Sequence, residues 1–175
     1  MRMQANRGRT LEHAIILTNE AYRRAGTAVV EKIPTEWIPI RDGKRIVTAK
    51  VEHKAVVDFI GRYGARAVAF DAKQTEEPRI GFKRVEPHQA AFLDTWTAGG
   101  QGIGFILVGY GMTWYVIPWE VWRAGLDGKV TEVRHGKDVT TASLNLSDLP
   151  YYRVARGRVG MDYLLTVDIL WGAHG

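Results

Sequence analysis

Between Arg66 and Thr75 the chain runs RAVAFDAKQT, an apolar stretch broken by one carboxylate and one ammonium two residues apart. Its small, β-branched and aromatic residues predict a strand, and strand side chains alternate between faces. Val68, Phe70 and Ala72 then take one face; Ala69, Asp71 and Lys73 take the other. Asp71 and Lys73 lie about 7 Å apart along such a strand, at about 3.3 Å per residue. The pair is either an ion pair on a sheet surface or half of a metal-dependent site. Asp58, in AVVDFIG, is expected in the preceding strand, beyond a turn at Gly61 to Gly64. Hairpin pairing would bring Asp58 near Asp71. Two carboxylates held close repel unless a cation sits between them. Mg²⁺ suits that place, since it binds through one or two carboxylates and keeps several waters. Lys73 beside it would orient the attacking water and stabilise charge on a phosphate.

Around this stretch, helices and strands alternate. Thr10 is expected to cap a helix from Leu11 to about Ala25, with Gly26 ending it. Glu12 stands at the edge of that helix's apolar stripe, where it can border a cleft. TAVVEKIP predicts a strand. Residues 34–54 differ in character: an Asp42-Gly43 turn signal separates WIPI from RIVTAKV, which predicts a hairpin. This segment carries Arg41, Lys44, Arg45, Lys50 and Lys54. Pro87 opens a helix through about Thr97. GIGFILVGYG and TWYVIP predict strands, WEVWRAG a short helix and GMDYLLTVDIL a closing helix. That order argues for one domain, mixed α/β or α+β, built on a single sheet.

The chain has 175 residues and no cysteine, which removes disulfides and thiolate metal sites and fits a cytoplasmic protein. No apolar run reaches the ~20 residues needed to span a bilayer, so no membrane partner is expected. The net charge is +5. Arg2, Arg7 and Arg9 lie in a stretch without acids. Clustered arginines match phosphate oxygens and point to nucleic acid.

NRGRTLEHAI, VDFIGRYGARAVAFDAK, EPHQAAFL and GRVGMDYLLTVDIL occur in that order. Together they resemble RecU, the Holliday junction resolvase family within the PD-(D/E)xK nucleases. The resemblance implies a restriction-endonuclease-like mixed central sheet flanked by helices, with a projecting stalk hairpin over 34–54 inside one nuclease domain of 1–175. It implies a Mg²⁺-dependent endonuclease, with Mn²⁺ able to substitute, acting as a homodimer on four-way DNA junctions. Its metal ligands would be Asp58, Asp71, the Ala72 carbonyl and, in support, Glu12. Lys73 matches the motif lysine. Gln89, with His88, matches the helix where a glutamine positions substrate or water. Arg2, Arg7, Arg9, Trp37, Lys44, Arg45 and Lys50 are the expected DNA contacts. Asp71 stands where the family more often has Glu, and Ala69 where a cellular relative carries another acid. The hairpin is shorter than in cellular members, which suits a phage-encoded or divergent one. The shorter acid and Ala69 motivate one alternative, a junction-binding protein with a decayed nuclease site; a second is a related nuclease with another DNA substrate.

Overall fold

The computed structural model describes residues 3–157 and 160–172, without the side chains of 3–10, 37–38 and 50–53. In chain order the elements are α1 (Met3–Arg24), β1 (Ala28–Lys32), β2 (Glu36–Asp42), β3 (Arg45–His53), β4 (Phe59–Tyr63), β5 (Arg66–Thr75), β6 (Arg79–Gly81) and α2 (Pro87–Thr97). There follow β7 (Gly102–Tyr110), β8 (Thr113–Pro118), α3 (Trp119–Leu126), β9 (Thr131–Arg134), β10 (Lys137–Thr140), β11 (Ser143–Asn145) and α4 (Tyr163–Trp171).

The central sheet has five strands in the order β1-β4-β5-β7-β8. β5 and β7 are parallel, joined by a crossover that contains α2; the other neighbours are antiparallel. β7 is buried on both faces from Ile103 to Gly109 and β5 from Val68 to Asp71, which explains the apolar runs there. One face carries α1 and α4, packing Ile15, Tyr163 and Val167 over Val68, Phe70, Phe105 and Leu107. The other carries α2 and α3, packing Leu93, Trp119 and Trp122 over Ala69, Ile106, Val108 and Ile117. This is the mixed sheet flanked by helices expected of a restriction-endonuclease-like fold.

The aromatic rings of Phe59, Phe70 and Phe105 stack across β4, β5 and β7. Centroid separations are 4.9 and 4.6 Å, with planes 14° and 13° apart. All three rings are fully buried. The stack accompanies the pairing of Phe59 with Phe70 and of Phe70 with Phe105. Hence Asp58, one residue before β4, stands opposite Asp71.

Three expectations need correction. Helix α1 begins at Met3, so Thr10 lies inside it rather than capping it. The strand around AVVDFIG starts only at Phe59, and its hairpin turn falls at Gly64-Ala65, so Asp58 belongs to the loop that feeds the strand. The 34–54 hairpin exists, with its turn after Asp42, but register shifts at Glu36/Trp37 and Ile40/Arg41 bend it. Among the described residues, β2 and β3 pair only with each other, and their described side chains are exposed.

Gly61 lies in β4, where a Cβ would overlap the Val29 carbonyl oxygen and Val30 Cα of β1. Backbone cannot yield as a side-chain tip can. Gly61→Ala is therefore expected to destabilise the chain by about 1–3 kcal/mol. Denaturant unfolding measures this; a loss below roughly 0.5 kcal/mol would show that β1 and β4 separate freely.

Candidate active site

Asp71 is fully buried near the middle of the sheet. Its neighbours come from three elements. Along β5, Lys73 forms an ion pair with Asp71 Oδ2. From α2, Gln89 Nε2 donates to Asp71 Oδ1 at 2.5 Å. From the loop before β4, Asp58 Oδ2 accepts the Ala72 backbone N–H at 2.8 Å. The alternation expected for β5 thus holds: Asp71 and Lys73 share the face that α2 covers.

Local sequence sets each part. Pro87 fits the first turn of α2, where no N–H is needed. Gln89 follows at the third helical position, where its Oε1 accepts the Glu86 backbone N–H at 3.0 Å. The same oxygen receives Lys73 Nζ at 3.4 Å. One amide therefore holds the helix start, the carboxylate and the ammonium together. Asp58 is fixed from behind as well, since its carbonyl accepts the Ile33 N–H at 2.8 Å. The N–H and C=O of a strand residue project to the same edge. The Ala72 carbonyl consequently shares Asp58's side, beyond the paired part of β4.

Electrostatics follow from burial. Desolvation pushes the Asp71 carboxyl up, the Asp58 carboxylate pushes it further, and the Lys73 ammonium pulls it back; the result is about 7. Asp71 Oδ2 is paired with the Lys73 ammonium, so one cation faces the Asp58 and Asp71 carboxylates together. Two carboxylates sharing one ammonium out of water favour an additional cation. The donors available are hard oxygens, the type Mg²⁺ takes. The residues present fit a divalent ion held by Asp58, Asp71 and the Ala72 carbonyl.

Glu12 is placed differently. It is half-buried on α1 and ion-paired to Lys32 at the end of β1. Lys32 Nζ lies 5.8 Å from the Phe59 ring centre, on the face that α1 covers. Among the described residues no three His, Cys, Asp or Glu side chains form a metal-binding group. The structure does not bring Glu12 into one cluster with Asp58 and Asp71. Ala69 is fully buried in the apolar layer under α2. Lys44 and Arg45 are exposed at the β2–β3 turn. Arg2 lies outside the described residues, as do the side chains of Arg7, Arg9, Trp37 and Lys50.

Sequence reasoning did not single out Lys32 or Glu86. Nothing in the sequence pairs Lys32 with a helix twenty residues away. Glu86 carried a local signal, the Glu-Pro-x-Gln start of a helix.

The profile of the RecU family, described as Recombination protein U, matches residues 6–149. The chain belongs to the RecU family. Holliday junction resolvase RecU of Streptococcus pneumoniae strain Hungary19A-6 is 35% identical over 111 residues, covering 59% of this chain and 56% of the relative. The RecU of strain G54 is 34% identical over the same extent. The match thus spans just over half the length of these curated relatives. Among solved structures, the Holliday junction resolvase Hjc of Archaeoglobus fulgidus aligns with a TM-score of 0.42 and 14% identity, over 74% of this chain and 84% of that one.

The buried carboxylate makes the metal-free RecU-type site pH-sensitive. The folded value of Asp71 lies above the ordinary 3.8, so the native state holds this proton more tightly than the unfolded chain does. That stabilising contribution is complete below about pH 4 and is lost as the pH rises to about 7. Asn does not titrate. In chelator, Asp71→Asn should therefore gain on the wild type from about pH 4 to 7, by on the order of a few kcal/mol, and hold that gain above. Denaturant unfolding across this range reads the gap; a gap independent of pH would mean that Asp71 stays ionised throughout.

Proposed function

We propose that this chain is a divalent-metal-dependent DNA endonuclease that resolves four-way junctions by paired cuts. The observation that carries the reading is the convergence of Asp58, Asp71, Lys73 and Gln89 at the open end of the β4–β5 pair. A RecU-family chain with those four groups in contact has the parts that phosphodiester hydrolysis needs.

Asp58, Asp71 and the Ala72 carbonyl would hold Mg²⁺, with Mn²⁺ as a substitute. When bound, the ion would polarise a water toward attack and offset charge developing on the phosphate. The chain's own groups do the rest. Gln89 fixes the Asp71 carboxylate and leaves Oδ2 for ligation. The Ala72 N–H fixes Asp58. Lys73 neutralises Asp71 while the site is empty of metal, and with metal present its ammonium is free to meet a phosphate oxygen or orient water. Glu12 would support the metal shell only after releasing Lys32.

Residues 1–175 act as one nuclease domain in this reading, with 34–54 as a stalk that enters the junction. Lys44, Arg45, Lys50 and Trp37 on the stalk, with Arg2, Arg7 and Arg9 at the N-terminus, would contact DNA. Backbone contacts of this kind position DNA without reading its sequence and weaken as salt rises. Two cuts require two sites, which a homodimer supplies with a two-fold axis matched to the junction. Among the described residues no helix is long and apolar enough to cross a membrane. Action on cytoplasmic DNA is part of the proposal.

On a synthetic four-way junction in Mg²⁺, the wild type should cut and excess chelator should stop it. Asp71→Asn should lose at least about 10²-fold in rate, the scale of an electrostatic catalytic group, while binding in Ca²⁺ is retained. Cutting by Asp71→Asn at the wild-type rate would refute the metal assignment. Binding without cutting by the wild type would favour a decayed site.

Deleting residues 37–50 should spare binding to linear duplex and impair junction processing. Equal loss on both substrates would make the hairpin a structural element only.

A further inference from the structure

The β2–β3 ribbon joins the domain through two short roots, and both are bonded to elements that carry the site. On the entry side, the Ile33 N–H donates to the Asp58 carbonyl at 2.8 Å. On the exit side, Lys54 Nζ pairs with Glu86 Oε2 at 2.6 Å. The next carbonyl, Ala55 O, lies 3.2 Å from His88 Nε2, which donates when it carries the proton. His88 Nδ1 is also 3.4 Å from Glu86 Oε2. Val57 is then fully buried beneath α2.

These contacts run along two strings of consecutive residues. Residues 54–58 lead from the ribbon to Asp58. Residues 86–89 lead along the start of α2 to Gln89, which holds Asp71 and Lys73. Each string ends in a side chain of the site. The ribbon is a lever of about 30 Å, from nine residues at about 3.3 Å each. Its load falls on these two strings before it reaches the core. The Lys54 hydrogen bond also holds the Glu86 carboxyl below its usual range.

We propose that the clasp formed by Lys54 with Glu86 and by Ala55 with His88 is a positioning device: it holds Asp58 and Gln89 in register with Asp71 while the ribbon engages DNA, and so couples cutting to what the ribbon contacts. Lys54, Glu86 and His88 are positioning residues that act through Asp58 and Gln89. The inference rests on the nuclease reading above. Lys54 and Glu86 are about half exposed, so their pairing adds little to overall stability. Variants should therefore fold, and rate becomes the informative quantity.

The test is a double-mutant cycle on the full chain with Lys54→Met, Glu86→Gln and both together. Single-turnover cutting of a four-way junction in Mg²⁺ is followed with protein in saturating excess, which removes differences in affinity. Each single variant should slow cutting about three- to fivefold, the scale of an exposed ion pair. The double variant should be no slower than the slower single, because one contact has been removed twice. Thermal midpoints should match the wild type, and Glu86→Gln should bind the junction in Ca²⁺ as tightly as the wild type. Singles that cut at the wild-type rate, or a double whose loss is the product of the two, would overturn the inference while leaving the nuclease reading intact. A wild type that fails to cut in Mg²⁺ would refute that reading, and the inference with it.

Discussion

The stack of Phe59, Phe70 and Phe105 is the constraint on which the site depends. Each ring is fully buried, contributing on the order of 1.5–3 kcal/mol, and each stacked pair adds about 0.5–1.5 kcal/mol. Their more specific effect is on register. A strand slipped by one residue presents all its side chains to the opposite face. Slipping the β4 side by one would turn Asp58 into the α1 layer and bury Phe59 against α2. The apolar side of β5 thereby sets the geometry of its polar side.

That polar side holds a group the core would otherwise exclude. A carboxylate out of water costs several kcal/mol unless it is paired and hydrogen-bonded. Asp71 receives an ammonium from Lys73 and an amide from Gln89, yet burial remains and Asp58 adds like charge. The raised proton affinity of Asp71 and its fit to a divalent ion share this cause. Either a proton or a metal relieves the same repulsion. Lys73 supplies the one cation that the structure places beside the two carboxylates.

Much of this was legible in the sequence because it is periodic or local. Alternation along RAVAFDAKQT placed Asp71 and Lys73 together, Pro87 marked the start of α2, and Asp42-Gly43 marked the ribbon's turn. What escaped depends on contacts between distant segments. Thr10 has the chemistry of a cap, but α1 continues seven residues further toward the N-terminus. Asp58 was expected within a strand, whereas its geometry comes from the Ala72 and Ile33 amides. Glu12 bears the family-like signature, yet Lys32 holds it on the α1 side. The short β6–β11 and β9–β10 ladders have no clear pattern either. Arg79, bonded to Glu132 at 2.5 Å and Thr141 at 3.2 Å, ties them together across more than fifty residues.

The central claim is that Asp58 and Asp71 form one metal-holding unit. An anomalous difference map from crystals of the chain soaked in Mn²⁺ tests it most directly. The account predicts a strong peak at about 2.0–2.3 Å from carboxylate oxygens of both Asp58 and Asp71, with Lys73 turned away from Oδ2. A map with no peak there, or with Mn²⁺ on Glu12 alone while the Asp71–Lys73 pair stays closed, would contradict it.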